Sequence, residues 1–268
     1  MMKVRSLVIS GNGTNCEKET AWALKCAGSD MIVTSTIWEM LQGKYSFDDY
    51  NFIVFPGGFL DGDHLGSARA QAHRLKYGTP QQRGPFIDQI SAMINSGGII
   101  LGICNGFQLL VKMGILPDNN LRQNVSLTHN LSGKFEARWV SCVADPDSPC
   151  VFTKGIEQID LPVRHGEGRL IFDTEETGTR LFTNHLVPLK YVDKKNNPTE
   201  KYPENPNGSF RGAASLCDET GRIFGLMPHP EAFTHYTNHP SWTRMSLPEE
   251  GMGVSIFRNG IDWLRNHL

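Results

Sequence analysis

Apolar and polar positions follow two different rhythms along this chain. In the first half, short apolar runs rich in β-branched residues alternate with stretches of helical spacing. Residues 4–10, 31–37, 52–55 and 99–103 read as strands. Residues 16–26, 68–77, 85–95 and 106–113 read as helices, with Trp22 and Leu24 on the apolar side of the first. Pro85 suits a first turn, while Gly28, Gly97-Gly98 and Gly114 stand where helices should stop. Strands alternating with helices predict a mostly parallel sheet flanked by helices on both faces, an α/β fold. The second half changes character. Residues 135–143, 159–163, 211–217 and 222–226 read as strands, with little helix before 253–267. The polar, Pro- and Asn-rich stretch 193–209 reads as a loop. No repeat and no clear boundary divides the chain, so residues 1–268 read as one domain.

Composition narrows the function more than the fold. The chain is 268 residues long and 39% apolar, enough for a substantial buried core. Its 26 basic and 28 acidic side chains leave no basic field for nucleic acid or an anionic membrane. No apolar run approaches the roughly 20 residues needed to span a bilayer. Leu7-Val8-Ile9 is too brief for a signal segment and runs into Gly11-Asn12-Gly13. Six cysteines are scattered without a CxxC pair, so reduced thiols in a cytoplasmic protein are expected.

One of those cysteines carries candidate chemistry. Gly102-Ile103-Cys104-Asn105-Gly106 follows an apolar strand and opens a helix, the context of a nucleophile elbow. The flanking glycines remove Cβ atoms where backbone must pass close, and the helix N-terminus favours a thiolate. A structural cysteine at a tight turn is the competing reading. A thiolate that attacks an amide also needs a histidine to protonate the leaving amine, and that histidine needs an orienting group. His229-Pro230-Glu231 follows a strand, where α/β sheets gather active sites. In an extended segment His229 and Glu231 would point the same way. Pro56-Gly57-Gly58 after residues 52–55 offers unobstructed amide N–H groups to an oxyanion, and the N–H of Asn105 offers another. No GxxxxGK[ST] loop occurs, so no nucleotide site is indicated.

These residues resemble a family. Phe55-Pro56-Gly57-Gly58-Phe59, Gly102-Ile103-Cys104-Asn105-Gly106-Phe107-Gln108 and Met227-Pro228-His229-Pro230-Glu231 are similar to the three signature blocks of class I glutamine amidotransferases. Within that family, the wording is nearest to the glutaminase subunits of phosphoribosylformylglycinamidine synthase, an enzyme of purine biosynthesis. Gly13-Thr14-Asn15-Cys16, His165-Gly166-Glu167-Gly168, Asn205-Pro206-Asn207-Gly208-Ser209 and Cys217-Asp218-Glu219-Thr220-Gly221-Arg222 resemble further stretches of those subunits. The similarity runs from about residue 8 to residue 233. It implies a Rossmann-like α/β glutaminase fold with Cys104, His229 and Glu231 as catalytic triad. It also implies Gly58 and Asn105 as oxyanion-hole donors, and Gln108, Phe59, His165, Gly166 and Glu167 as contacts to L-glutamine. The implied partner is the large synthetase subunit of phosphoribosylformylglycinamidine synthase, with or without a small accessory subunit. ATP and Mg belong to that partner, and no cofactor or metal to this chain.

One loop departs from the pattern. Where the family commonly has Ser-Tyr-Gly-Asp-Tyr-Leu-Arg, this chain has Leu60-Asp61-Gly62-Asp63-His64-Leu65-Gly66. A glutaminase serving a different synthetase is therefore a rival reading, beside a cysteine peptidase-like hydrolase and a non-catalytic binding subunit. His235 and His239 lie in the long segment 235–253 and read as solvated loop histidines rather than metal ligands.

Overall fold

The computed structural model describes residues 3–64 and 66–268, so Leu65 of the departing loop lies outside the described residues. In chain order the elements begin β1 (Arg5–Ser10), α1 (Glu17–Ala27), β2 (Met31–Thr36), α2 (Ile37–Leu41), β3 (Phe52–Phe55) and α3 (Arg69–Tyr77). They continue with α4 (Phe86–Asn95), β4 (Ile99–Ile103), α5 (Asn105–Met113), β5 (Val125–Thr128), β6 (Glu136–Ala144) and β7 (Gln158–His165). The last are β8 (Arg169–Phe172), α6 (Glu175–Thr183), β9 (Leu189–Tyr191), β10 (Ser215–Cys217), β11 (Ile223–Leu226) and α7 (Val254–His267).

The central sheet has the order β10-β11-β4-β3-β1-β2, parallel throughout except for the antiparallel edge strand β10. Every residue of β3, β4 and β11 is buried. That is why these strands read as unbroken apolar runs and not as alternation: both faces are covered. A second layer is antiparallel, with β6 between β7 and β9, and β5 paired with β8. In β7 the side chains of Ile159, Leu161, Val163 and His165 are buried on one face. Residues of both layers belong to one contiguous apolar cluster, including Phe52, Phe152 and Phe224 alongside Cys142, Leu161 and Tyr191.

Most elements lie where the hydrophobic pattern puts them, and the departures have local causes. The strand read over residues 211–217 shortens to β10, because Phe210–Gly212 forms a 3-10 turn with Arg211 at φ 48°. Helix α2 follows β2 directly, closed by a capping box between Thr36 and Glu39. Helix α6 lies in the stretch read as nearly helix-free. Thr174 caps it through the Thr177 N–H, and Glu175 and Glu176 fill its first turn. Strands β5, β8 and β9 have three or four residues each, too few to show a period. Pro85 precedes α4 as its N-cap. The polar loop 193–209 is not simply a surface excursion: Asn205, Asn207 and Ser209 are buried in mutual hydrogen bonds. His239 is likewise buried, edge-on to Trp139 at 4.8 Å, and so is not the solvated histidine expected.

Candidate active site

Strands β3, β4 and β11 are neighbours and parallel, so the loops leaving their carboxyl ends converge. Cys104 leaves β4, Gly58 follows β3, and His229 follows β11. The elbow is fastened by the Cys104 N–H, which donates to Leu226 O at 2.7 Å. Cys104 itself has φ 51° and ψ −100°, a conformation that costs a non-glycine residue about 1–3 kcal/mol and persists only where the surroundings enforce it. Gly106 shows the enforcement: a Cβ there would lie 1.9 Å from Phe55 O. The β3 backbone therefore packs directly onto the first turn of α5.

His229 is held from two sides. Its backbone N–H donates to Pro162 O on the free edge of β7 at 2.8 Å, and its Nδ1 lies 2.6 Å from Glu231 Oε1. Residues Pro230–Ala232 form a 3-10 turn and not the extended segment expected, so the pair meets by a tight turn rather than by strand alternation. Both side chains are buried, and His229 Nε2 makes no hydrogen bond among the described residues. Burial pushes the His229 basicity down, but the Glu231 carboxylate and the nearby Cys104 thiol outweigh it and hold the pKa well above the ordinary histidine value. The Cys104 thiol donates to Arg164 O at 3.6 Å, again on the edge of β7.

Gly58, at φ 145°, is braced by the 11–16 loop, where Phe59 N–H donates to Gly13 O at 2.8 Å. A Cβ on Gly58 would meet Gly13 O and Thr14 Cα at 2.8 Å. Its own N–H has no acceptor among the described residues. The N–H of Asn105, first residue of α5, has no intrahelical acceptor either. Both are thus available to an oxyanion. A chain of side-chain bonds ties three loops together: Leu60 N–H donates to Asn105 Oδ1 at 3.3 Å, Asn105 Nδ2 to Gln108 Oε1 at 3.0 Å, and Gln108 Nε2 to Glu167 O at 2.6 Å. The Glu167 carboxylate accepts from Ser67 N–H at 3.3 Å, with Lys112 Nζ at 4.0 Å, and Gly166 O accepts from Asn130 N–H at 2.8 Å. Phe59 sits outside this buried centre, 40% exposed and 6.1 Å from the Phe135 ring. A cleft of ≈ 760 Å³ lined by Arg169, Phe172, Phe210 and Arg211 contains none of Cys104, His229 and Glu231.

A model of the CobB/CobQ-like glutamine amidotransferase domain matches residues 3–264. The chain belongs to this family. This amidotransferase is 43% identical to the phosphoribosylformylglycinamidine synthase subunit PurQ of Dehalococcoides mccartyi, over 99% of each chain. It is 42% identical to the subunit of the same name from Methanococcus maripaludis, over 90% of this chain and 88% of that one. The solved structure of PurLQS from Thermotoga maritima superposes with a TM-score of 0.69 at 29% identity, covering 98% of this chain and 100% of that one.

Two residues of the amidotransferase site carry no role in the sequence reading. Cys16, part of the Gly13-Thr14-Asn15-Cys16 motif, puts its Sγ 3.9 Å from His229 Nδ1. Burial raises its pKa, so it stays a thiol and covers the back of the imidazole. Asn130 bonds His165 Nδ1 at 3.0 Å, and nothing in its sequence surroundings marks it. Cys16, His229 and Glu231 also form a donor set whose ligand atoms lie within 4.8 Å of one another. The 2.6 Å between Nδ1 and Oε1 is closer than two ligands of one zinc ion, each about 2.0–2.2 Å from the metal in a tetrahedral shell, can stand. A hydrogen bond fits that gap and an ion does not. In the 235–253 segment, His239 Nε2 faces Asp160 at 3.8 Å.

Proposed function

We propose that this chain is the glutaminase subunit of a phosphoribosylformylglycinamidine synthase. It hydrolyses L-glutamine and hands the ammonia to the large synthetase subunit, which converts formylglycinamide ribonucleotide to its amidine with ATP and Mg; a small accessory subunit is an optional third partner. The reading rests on one observation above the others: a buried Cys104, His229 and Glu231 set converges from neighbouring strands in a chain that matches subunits of that name end to end. Residues 1–268 act as one amidotransferase unit, supported by the contiguous core. The cytoplasm is its proposed compartment, supported by six free cysteines. The chain needs no cofactor or metal of its own.

In the proposed reaction the Cys104 thiol passes its proton to His229 Nε2, and the resulting thiolate attacks the carboxamide carbon of glutamine. The oxyanion rests on the N–H groups of Gly58 and Asn105. As the C–N bond breaks, His229 delivers its Nε2 proton to the leaving nitrogen, and ammonia departs from a γ-glutamyl thioester. His229, now a base steadied by Glu231, takes a proton from water, which attacks the thioester and releases glutamate. Gln108 braces the turn that presents Asn105, and Glu167, Gly166, His165 and Phe59 border the substrate.

A pull-down with the tagged wild-type chain from native extract, followed by assay of the recovered complex, tests this. A large ATP-dependent synthetase should be recovered that forms the amidine with glutamine or with ammonium. With Cys104→Ala it should use ammonium only. Recovery of another synthetase would overturn the pathway, and glutamine-dependent turnover by Cys104→Ala would overturn the nucleophile.

A further inference from the structure

The loop ahead of α1 touches both halves of the active site. On one side it braces Gly58: Thr14 and Gly58 form an antiparallel bridge, and Phe59 N–H donates to Gly13 O at 2.8 Å. On the other side its last residue, Cys16, is buried with its Sγ 3.9 Å from His229 Nδ1. Cys16 is also the N-cap of α1, and its carbonyl accepts from Thr20 N–H at 2.9 Å, so its backbone is pinned.

The direction of the contact follows from the partners. Glu231 Oε1 lies 2.6 Å from Nδ1, and a carboxylate only accepts, so Nδ1 carries the ring hydrogen. Cys16 therefore presents a sulfur lone pair to that N–H. Its own hydrogen goes the other way, to Asn15 Oδ1 at 3.3 Å. A neutral thiol suits the place: burial raises the Cys16 pKa, so the sulfur accepts without adding a second negative charge beside Glu231. Gly57 closes the same edge of the ring, where a Cβ would lie 2.6 Å from His229 Cε1 and 3.4 Å from Cys16 Sγ. A single hydrogen bond lets the imidazole swing about it. A second contact at Nδ1, with Gly57 against Cε1, removes that freedom.

We propose that Cys16 is a positioning residue of the glutaminase reaction, its sulfur accepting a second, longer hydrogen bond from His229 Nδ1–H that holds Nε2 in line with the Cys104 thiol. This deepens the glutaminase reading and rests on it. Cys16 acts through the imidazole and not on glutamine. The contact favours the protonated ring, and so helps to hold the proton that ammonia takes. Burial lowers the basicity of His229, and Glu231, Cys104 and Cys16 outweigh it, in that order. The other titratable group near the ring, His165 at the end of β7, is neutral, because burial pushes its pKa down to about 3.

The test is the pH dependence of glutamine hydrolysis by the full-length chain assembled with its synthetase. The alkaline limb of kcat/KM reports loss of the His229 proton. Cys16→Ala should move that limb down by about half a pH unit and lower kcat about 3- to 10-fold, with KM for glutamine within about 2-fold of wild type. Cys16→Val, which refills the space without an acceptor, should show the same shifted limb, and it carries the test if Cys16→Ala fails to fold. Cys16→Ser, which keeps an acceptor, should stay nearer the wild-type limb. A limb unmoved in Cys16→Ala, or returned to its wild-type place by Cys16→Val, would overturn the proposal. A wild-type complex that releases no ammonia from glutamine would overturn the glutaminase reading itself, before any variant is compared.

Discussion

His229 and His165 are equally buried, each 2% exposed, yet the fold holds them in opposite states. Desolvation disfavours the charged ring at both positions, so burial alone does not separate them. The partner does. Glu231 gives His229 a full negative charge at 2.6 Å, and its basicity rises; Asn130 gives His165 a neutral amide oxygen at 3.0 Å, and its basicity collapses. One ring is thereby prepared to give a proton, the other to accept a hydrogen bond without taking one.

The comparison breaks most severely at Glu231. With Glu231→Gln the imidazole loses its carboxylate and behaves like a second His165, and kcat for ammonia release should fall by about 10²–10⁴. Glutamate formation by the purified variant checks this, and an unchanged rate would remove Glu231 from the triad. The reverse exchange is Asn130→Asp, which gives His165 a carboxylate. Its pKa should climb from about 3 towards or beyond the ordinary 6.5. Carbon-13 shifts of the labelled imidazole report the titration; a ring that still titrates near 3 would show that burial and the neighbouring His229 outweigh a carboxylate at that distance.

The smallest effect is on stability. Between pH 6.5 and about 3 the unfolded chain binds a proton at His165 that the folded chain refuses. Stability should therefore fall as pH is lowered through that window, by up to about 1.4 kcal/mol per pH unit. His229 acts in the other direction: its raised pKa contributes stability that is complete below 6.5 and is lost as pH rises through the folded value. Thermal melts of wild type and His165→Leu from pH 4 to 7 should show the acid slope flattened in the variant, and parallel slopes would refute the assignment.

Much of the site was readable before the structure. Glycines at 102 and 106 mark the elbow because close backbone passage excludes Cβ, and that constraint is written in residue type alone. The pairing of His229 with Glu231 was also readable, although its geometry was not: proline and the following residues close a 3-10 turn where strand alternation was expected. Other features left no local trace. Cys16 is 213 residues from His229, and Asn130 is 35 residues from His165. His239 sits in a polar segment but is buried against Trp139, because the ring fills a gap that only packing creates.

The sequence by itself determined the run of strands and helices in the first half, the strained turn at Cys104 and the family to which the chain belongs. Those follow from short-range sterics and periodicity, which act within a few residues. The tertiary structure alone decided that β3, β4 and β11 lie side by side, that the free edge of β7 closes over their ends, and that two similar histidines carry different charge. Charge states depend on desolvation and on partners supplied by distant segments, and neither exists until the chain has folded.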